Sequence, residues 1–192
     1  MKEAIEIISN IIKGRRSIFP QSYTKEEIPK AAIQEVLESA NYAPTHKMTE
    51  PWRFIVFRKE GKQKLGQELA RLYQANTPPD KFLQKKYDSI PLKFEQSSCA
   101  IVINAQLHPD KLPEWEEIAA LGCAVQNMAL TAEALDIGAY WSSPESIAQL
   151  GPYLGLEENE KCFGIFYMGY HQEEKRPAKR TPIEEKVKWV EG

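Results

Sequence analysis

Two short segments carry side chains suited to chemistry. Arg15-Arg16-Ser17 follows Gly14 at the end of an apolar helical pattern, and roughly one helix later comes Ala43-Pro44-Thr45-His46-Lys47-Met48-Thr49-Glu50-Pro51-Trp52. Two adjacent guanidinium groups and a hydroxyl in a loop offer forked, permanently charged donors, which suit a phosphate and a polar chain better than a core. On its own the triplet equally fits a solvated turn. The second segment places a proline-restricted loop directly before an apolar strand pattern. Further along, Trp141-Ser142-Ser143-Pro144 puts hydroxyls and free backbone N–H groups at a turn, where they can meet carbonyl and ring-nitrogen acceptors or simply cap a helix. A basic run holding Lys175, Arg176, Lys179 and Arg180 lies near the C-terminus and reads as a solvated segment or, less often, a nucleic-acid arm.

Elements must hold these residues in place. Ile5, Ile8, Ile11 and Ile12 follow helical spacing and Gly14 supplies a stop. Pro29 starts the second helix, whose apolar face is Ile33, Val36, Leu37 and Ala40, and Pro44 keeps Ala43 out of it. Strand patterns are expected over Trp52 to Phe57, Cys99 to Asn104, Ala139 to Trp141 and Phe163 to Met168, the second buried on both faces. Lys62 to Gln74 reads as a third helix, Thr77 to Glu95 as an irregular or partly helical lid, and Glu114 to Leu135 as a long helix. The small residues Ala119, Ala120, Gly122, Cys123, Ala124 and Ala129 let another backbone approach that long helix closely.

Composition narrows the classes. A chain of 192 residues, 42% hydrophobic, fits one domain over 1–192 with one sizeable core. A net charge of -2 gives no field that would gather nucleic acid or an anionic membrane, so neither is expected as a partner. Cys99, Cys123 and Cys162 are odd in number and lack C-x-x-C spacing, which favours a reducing, cytoplasmic compartment over a disulfide framework or a zinc site. His46, His108 and His171 have no metal-site companions, so no metal is expected, and no G-x-G-x-x-G, G-x-S-x-G or H-E-x-x-H run is present. No stretch approaches the ~20 apolar residues of a membrane span.

The order Arg15-Arg16-Ser17, Ala43-Pro44-Thr45, Glu50-Pro51-Trp52 resembles the FMN-dependent nitroreductase family over nearly the whole chain, and Pro44-Thr45-His46-Lys47 is most similar to a small NAD(P)H nitroreductase subgroup with a Pro-x-His-Lys loop. Two positions depart from the family pattern. Met48 stands where many members carry Asn, and Glu50 stands where they carry Gln; a carboxylate cannot donate the hydrogen bond an amide can. The resemblance implies an α+β fold, with a central mixed, largely antiparallel sheet flanked by helices in an intertwined homodimer holding two FMN at the subunit interface. It also implies ping-pong transfer from NADH or NADPH to an electron-poor nitroaromatic or quinone, with flavin N5 carrying the hydride and no catalytic side chain. By the same resemblance Arg15 and Arg180, with Lys179 next, reach the phosphate, and Arg16 and Ser17 reach the ribityl chain and ring edge. Trp141, Ser142 and Ser143 line the ring, and Tyr42 and His46 contact flavin held by the other subunit. The tail reaches across to the partner, where Val187 and Trp189 pack. Other readings stay open at this point: a flavin-binding protein for storage or regulation without turnover, a dehalogenating or flavin-cleaving relative, and a basic-tail nucleic-acid adaptor.

Overall fold

The computed structural model describes residues 2–174 and 176–192; Met1 and Lys175, the latter part of the basic run, lie outside them. Four strands form one sheet, β1 (Trp52–Phe57), β2 (Cys99–Gln106), β3 (Ile137–Ser142) and β4 (Glu160–Tyr170), in the order β1-β2-β4-β3. Every neighbouring pair is antiparallel, with Trp52 opposite Ala105, Cys99 opposite Met168 and Ile137 opposite Tyr170. Among the described residues the parallel component of the expected mixed sheet is a single bridge, Ser17 to Ala139. That bridge matters, because it lays the arginine loop along the β3 edge.

The alternation of β2 explains why helices cover both faces. Cys99, Ile101, Ile103 and Ala105 point into a core shared with α2 (Lys30–Ala40) and α5 (Glu114–Ala134). Ala100 and Val102 point into a second core under α3 (Lys59–Asn76) and α4 (Gln84–Gln96). Since side chains alternate along a strand, only a continuous apolar run can serve two cores at once.

Helices α3 and α4 differ from their sequence patterns. The second helix starts where Pro29 places it, but α3 extends beyond both ends of the expected span. Within the supposed lid, Gln84 to Gln96 is a regular helix that includes Pro91 and buries Ile90 and Phe94. An interior proline costs about 3 kcal/mol. Phe94, fully buried and edge-on to Tyr167 at 5.1 Å, supplies the packing that offsets it. The turn after Ser143 is a 3₁₀ helix, Glu145–Leu150, followed by the short α6 (Gly151–Leu154). At the N-terminus, α1 (Lys2–Gly14) has the expected apolar stripe yet buries none of its residues; Ile5 is 61% exposed and Ile8 55%. Among the described residues no helix is long and apolar enough to cross a membrane.

Candidate functional site at the two ends of helix α5

The first group of residues assembles at the β3 edge. Ile18 donates its N–H to the Ala139 carbonyl at 3.1 Å, so Ser17 lies two residues upstream of Trp141 in spatial register. Phe19 stacks at a tilt on Tyr140, centroids 4.5 Å apart, and fixes the direction of this loop. Tyr23 continues the seam, donating its hydroxyl to the carbonyl of Ile18 at 2.7 Å. Sequence reasoning could join Arg16-Ser17 to Trp141-Ser142 only through the family resemblance. In the fold a backbone bridge does it.

The two arginines are used differently. Arg16 is tied down: its Nε donates to the Arg176 carbonyl at 2.6 Å, and its Nη1 donates to the carbonyls of Lys13 and Arg15 at 2.7 and 2.8 Å. It closes the end of α1 and anchors the tail, and with Ser17 it lines a small cavity that also holds Glu173, Glu174 and Arg176. Arg15 is half-buried, and its guanidinium makes no hydrogen bond or ion pair among the described residues. A cation at a helix C-terminus is favoured by the dipole, but its five donors remain available. Glu173 faces this region, yet Ser22 and Arg176 hold it, and the Ser22 hydrogen bond keeps its carboxyl below the usual range.

Trp141 lies flat across β4 because Gly164 leaves room for it. A Cβ on Gly164 would come within 2.6 Å of the Ser142 carbonyl and collide with the indole, and the backbone there has φ +145°. Trp141 Nε1 donates to the Phe163 carbonyl at 3.3 Å, and the ring stays 40% exposed. Ser142 points toward a cavity of about 220 Å³ that α3 and α4 complete with Tyr73, Ser89, Lys86 and Lys93. These α4 residues were missed in the sequence, because nothing in the spacing of Thr77 to Glu95 shows that it folds back onto Ser142. Tyr167 also lines this cavity; it is 2% exposed, and its hydroxyl makes no hydrogen bond among the described residues. Burial pushes that phenol far above its ordinary range, so it remains a neutral donor. Ser143 sits on the exposed side of the same turn.

The second group lies elsewhere. Tyr42, 79% exposed, follows α2, and His46 opens a 3₁₀ turn, His46–Met48. His46 Nδ1 meets Glu116 Oε2 at 2.5 Å, and Lys47 Nζ donates to the Lys111 carbonyl at 2.7 Å. Glu117, the next residue on α5, is 1% exposed and accepts from the backbone N–H and ring Nδ1 of His108 at 2.7 and 2.8 Å. Burial alone would raise this carboxyl, but the His108 bonds and the Thr49 hydroxyl hold it below the usual range. Lys47, Met48 and Glu50 all have positive φ. The Glu50 N–H finds the Thr45 hydroxyl at 3.1 Å.

A large separation divides the two groups. Gly14 abuts Glu133 near the C-terminal end of α5, where an added Cβ would lie 2.9 Å from Oε1, whereas His46 is held by Glu116 in the first turn. Seventeen residues of helix separate those anchors, a span of about 25 Å at 1.5 Å per residue. Within one chain the structure gathers Arg16, Ser17, Trp141 and Ser142, but not Tyr42 or His46. Lys179 and Arg180 lie on the exposed tail, where Arg180 Nη1 donates only to the neighbouring Lys179 carbonyl, at 2.7 Å.

Known proteins share this sequence pattern and fold. The family model described as "Nitroreductase family" matches residues 12–170. A Bacillus subtilis protein named putative NAD(P)H nitroreductase YfhC is 31% identical over 183 residues, covering 94% of this chain and 92% of that one. The solved structure of a nitroreductase-like family protein from Bacillus cereus superposes with a TM-score of 0.83 at 29% identity, covering 96% of each chain. A Desulfovibrio desulfuricans structure in complex with FMN superposes with a TM-score of 0.72 at 26% identity, again over 96% of each. With an arginine loop laid along β3, an exposed indole beside it and a family match spanning both, the chain belongs to the nitroreductase family.

Proposed function

We propose that residues 1–192 work as one FMN-binding domain of a cytoplasmic homodimer that moves electrons from NADH or NADPH to an electron-poor acceptor such as a nitroaromatic or quinone. When bound, FMN would accept a hydride from the nicotinamide and pass electrons on in a second half-reaction, which gives ping-pong kinetics. The donor set suits this group. Arg15 supplies a guanidinium, unpaired among the described residues, for the phosphate, joined by Arg180 and Lys179 once the tail is seated. Ser17 and Arg16 border the path toward Trp141, Ser142 and Ser143, beside which the ring would lie. Lys86 and Lys93 put ammonium groups at the same opening, and positive charge there favours an electron-rich ring. No side chain is needed as a nucleophile or obligatory acid.

One observation carries the reading: Arg15, unpaired among the described residues, and the outward-facing His46 lie at opposite ends of α5, and exposed apolar side chains occur on α1 and α5. They are Ile5, Ile8 and Ile12 of α1 and Trp115 and Ile118 of α5. Along it, Gly122 has nothing within 4 Å of where its Cβ would be. Pairing two copies antiparallel along α5 brings the Arg15 end of each to the His46 end of the other. Each pairing builds two complete sites and covers the apolar stripe.

An absorbance spectrum of the purified protein, followed anaerobically as NADH and then NADPH are added, tests the function. Flavin bands that bleach support it. Bands that persist favour a flavin-binding protein without turnover, and no flavin uptake overturns the proposal.

A further inference from the structure

The His46 ring has one partner among the described residues, and that partner is a carboxylate. Nδ1 lies 2.5 Å from Glu116 Oε2, and the side chains are 60% and 23% exposed. An ionised carboxylate only accepts, so a neutral imidazole must place its proton on Nδ1 to make this contact. The tautomer of a histidine is set by the bond its other nitrogen makes. Nε2 is then left unprotonated and, among the described residues, without a partner, on a side chain that is 60% exposed.

The loop that carries His46 is itself fixed to the same end of α5. Lys47 holds the Lys111 carbonyl, and the Thr49 hydroxyl lies 3.5 Å from the His46 carbonyl and also supports Glu117. Three residues in the left-handed region, Lys47, Met48 and Glu50, bend the chain so that the ring reaches Glu116. Non-glycine residues hold such conformations only where their surroundings over-determine them. Glu116 stands in the first turn of α5.

We propose that Glu116 is the positioning residue for His46: by taking the Nδ1 proton it presents Nε2 as an acceptor toward a hydroxyl or N–H of flavin held by the partner subunit. The assignment rests on the proposed function above, which puts His46 beside the partner's flavin. Glu116 itself touches no cofactor and acts through the ring.

Two readouts test it. Long-range proton–nitrogen spectra of histidine-labelled wild-type apoprotein at pH 8.5, with His46 assigned by comparison with His46→Ala, should show Nδ1 protonated and Nε2 bare. A signal for protonated Nε2, alone or with Nδ1, overturns the proposal. Glu116→Ala should lose the Nδ1 tautomer, Glu116→Gln should keep it through its side-chain oxygen, and Lys47→Met, which cuts a different tie of the same loop, should leave it unchanged. In FMN titrations of the dimeric apoprotein, His46→Ala and Glu116→Ala should each weaken binding by about 3- to 10-fold, the worth of one hydrogen bond. The double variant should be no weaker than His46→Ala, and Glu116→Gln should stay near wild type. If His46→Ala leaves affinity unchanged, the placement of His46 beside flavin fails. If His46→Ala weakens binding and Glu116→Ala does not, that placement stands and the role of Glu116 is refuted.

Discussion

The two ends of α5 solve opposite problems. At its C-terminal end the chain keeps a guanidinium, Arg15, without a partner among the described residues, beside a tail that Arg16 and Ser22 hold. At its N-terminal end nearly every polar group is tied: His46 to Glu116, Lys47 to Lys111, and His108 and Thr49 to Glu117. In the proposed dimer the end with spare charge would receive the anion, and the loop held by Glu116 and Lys111 would present His46 to the neighbour. On that proposal neither end is a site alone. The difference teaches that one chain supplies two unlike halves, which suits assembly by two-fold symmetry.

The sharpest break in this comparison comes from the arginines. Arg15→Ala should weaken FMN binding by about 1.5–3 kcal/mol, the usual worth of a hydrogen bond to a charged group, as read by titration of the apoprotein. Flavin affinity unchanged by that substitution would remove Arg15 from the phosphate site.

At the other end the expected effect falls on stability. Glu117→Gln should cost about 1–2 kcal/mol in denaturant unfolding at pH 7, because a buried charge-assisted pair with His108 is lost. The sign with pH follows from a carboxyl held below its ordinary value of 4.5 in the folded state. Its contribution is complete above that value and disappears as acid protonates the native carboxyl, so wild type and variant should converge below it. A gap that stays constant into acid would show that the charge of Glu117 is not what stabilises the loop.

The smallest effect concerns the surface between the ends. Burial pushes the Cys99 thiol up to about 12 and the Cys162 thiol up to about 11, while Cys123 is exposed midway along α5. At pH 8 the two buried thiols should resist alkylation. Cys123 should react quickly in dilute protein and slowly at concentrations where the dimer forms. Equal rates at both concentrations would mean that this face of α5 stays uncovered.

The fold was largely legible because its signals are local. The run Cys99 to Asn104 marked a doubly buried strand, Pro29 and Pro44 bracketed α2, and isoleucines at helical spacing marked α1. The segment Thr77 to Glu95 reads only as irregular or partly helical, and burial of Ile90 and Phe94 makes Gln84–Gln96 a regular helix despite Pro91. The site was legible in its parts through the family pattern, but not in its partnerships. Nothing in the sequence singles out Glu116 or Glu117, and only the fold shows that each holds a histidine. Lys86 and Lys93 likewise gain a place beside Ser142 only once α4 is folded.

The most direct test of a site shared between subunits is a mixed dimer, one chain carrying Arg15→Ala and the other His46→Ala, purified through two different tags and titrated with FMN. If each site takes Arg15 from one chain and His46 from the other, the mixed dimer holds one intact site and one doubly altered site, and one FMN per dimer binds with wild-type affinity. If both residues serve the site of their own chain, each site carries one substitution, and no FMN binds with wild-type affinity.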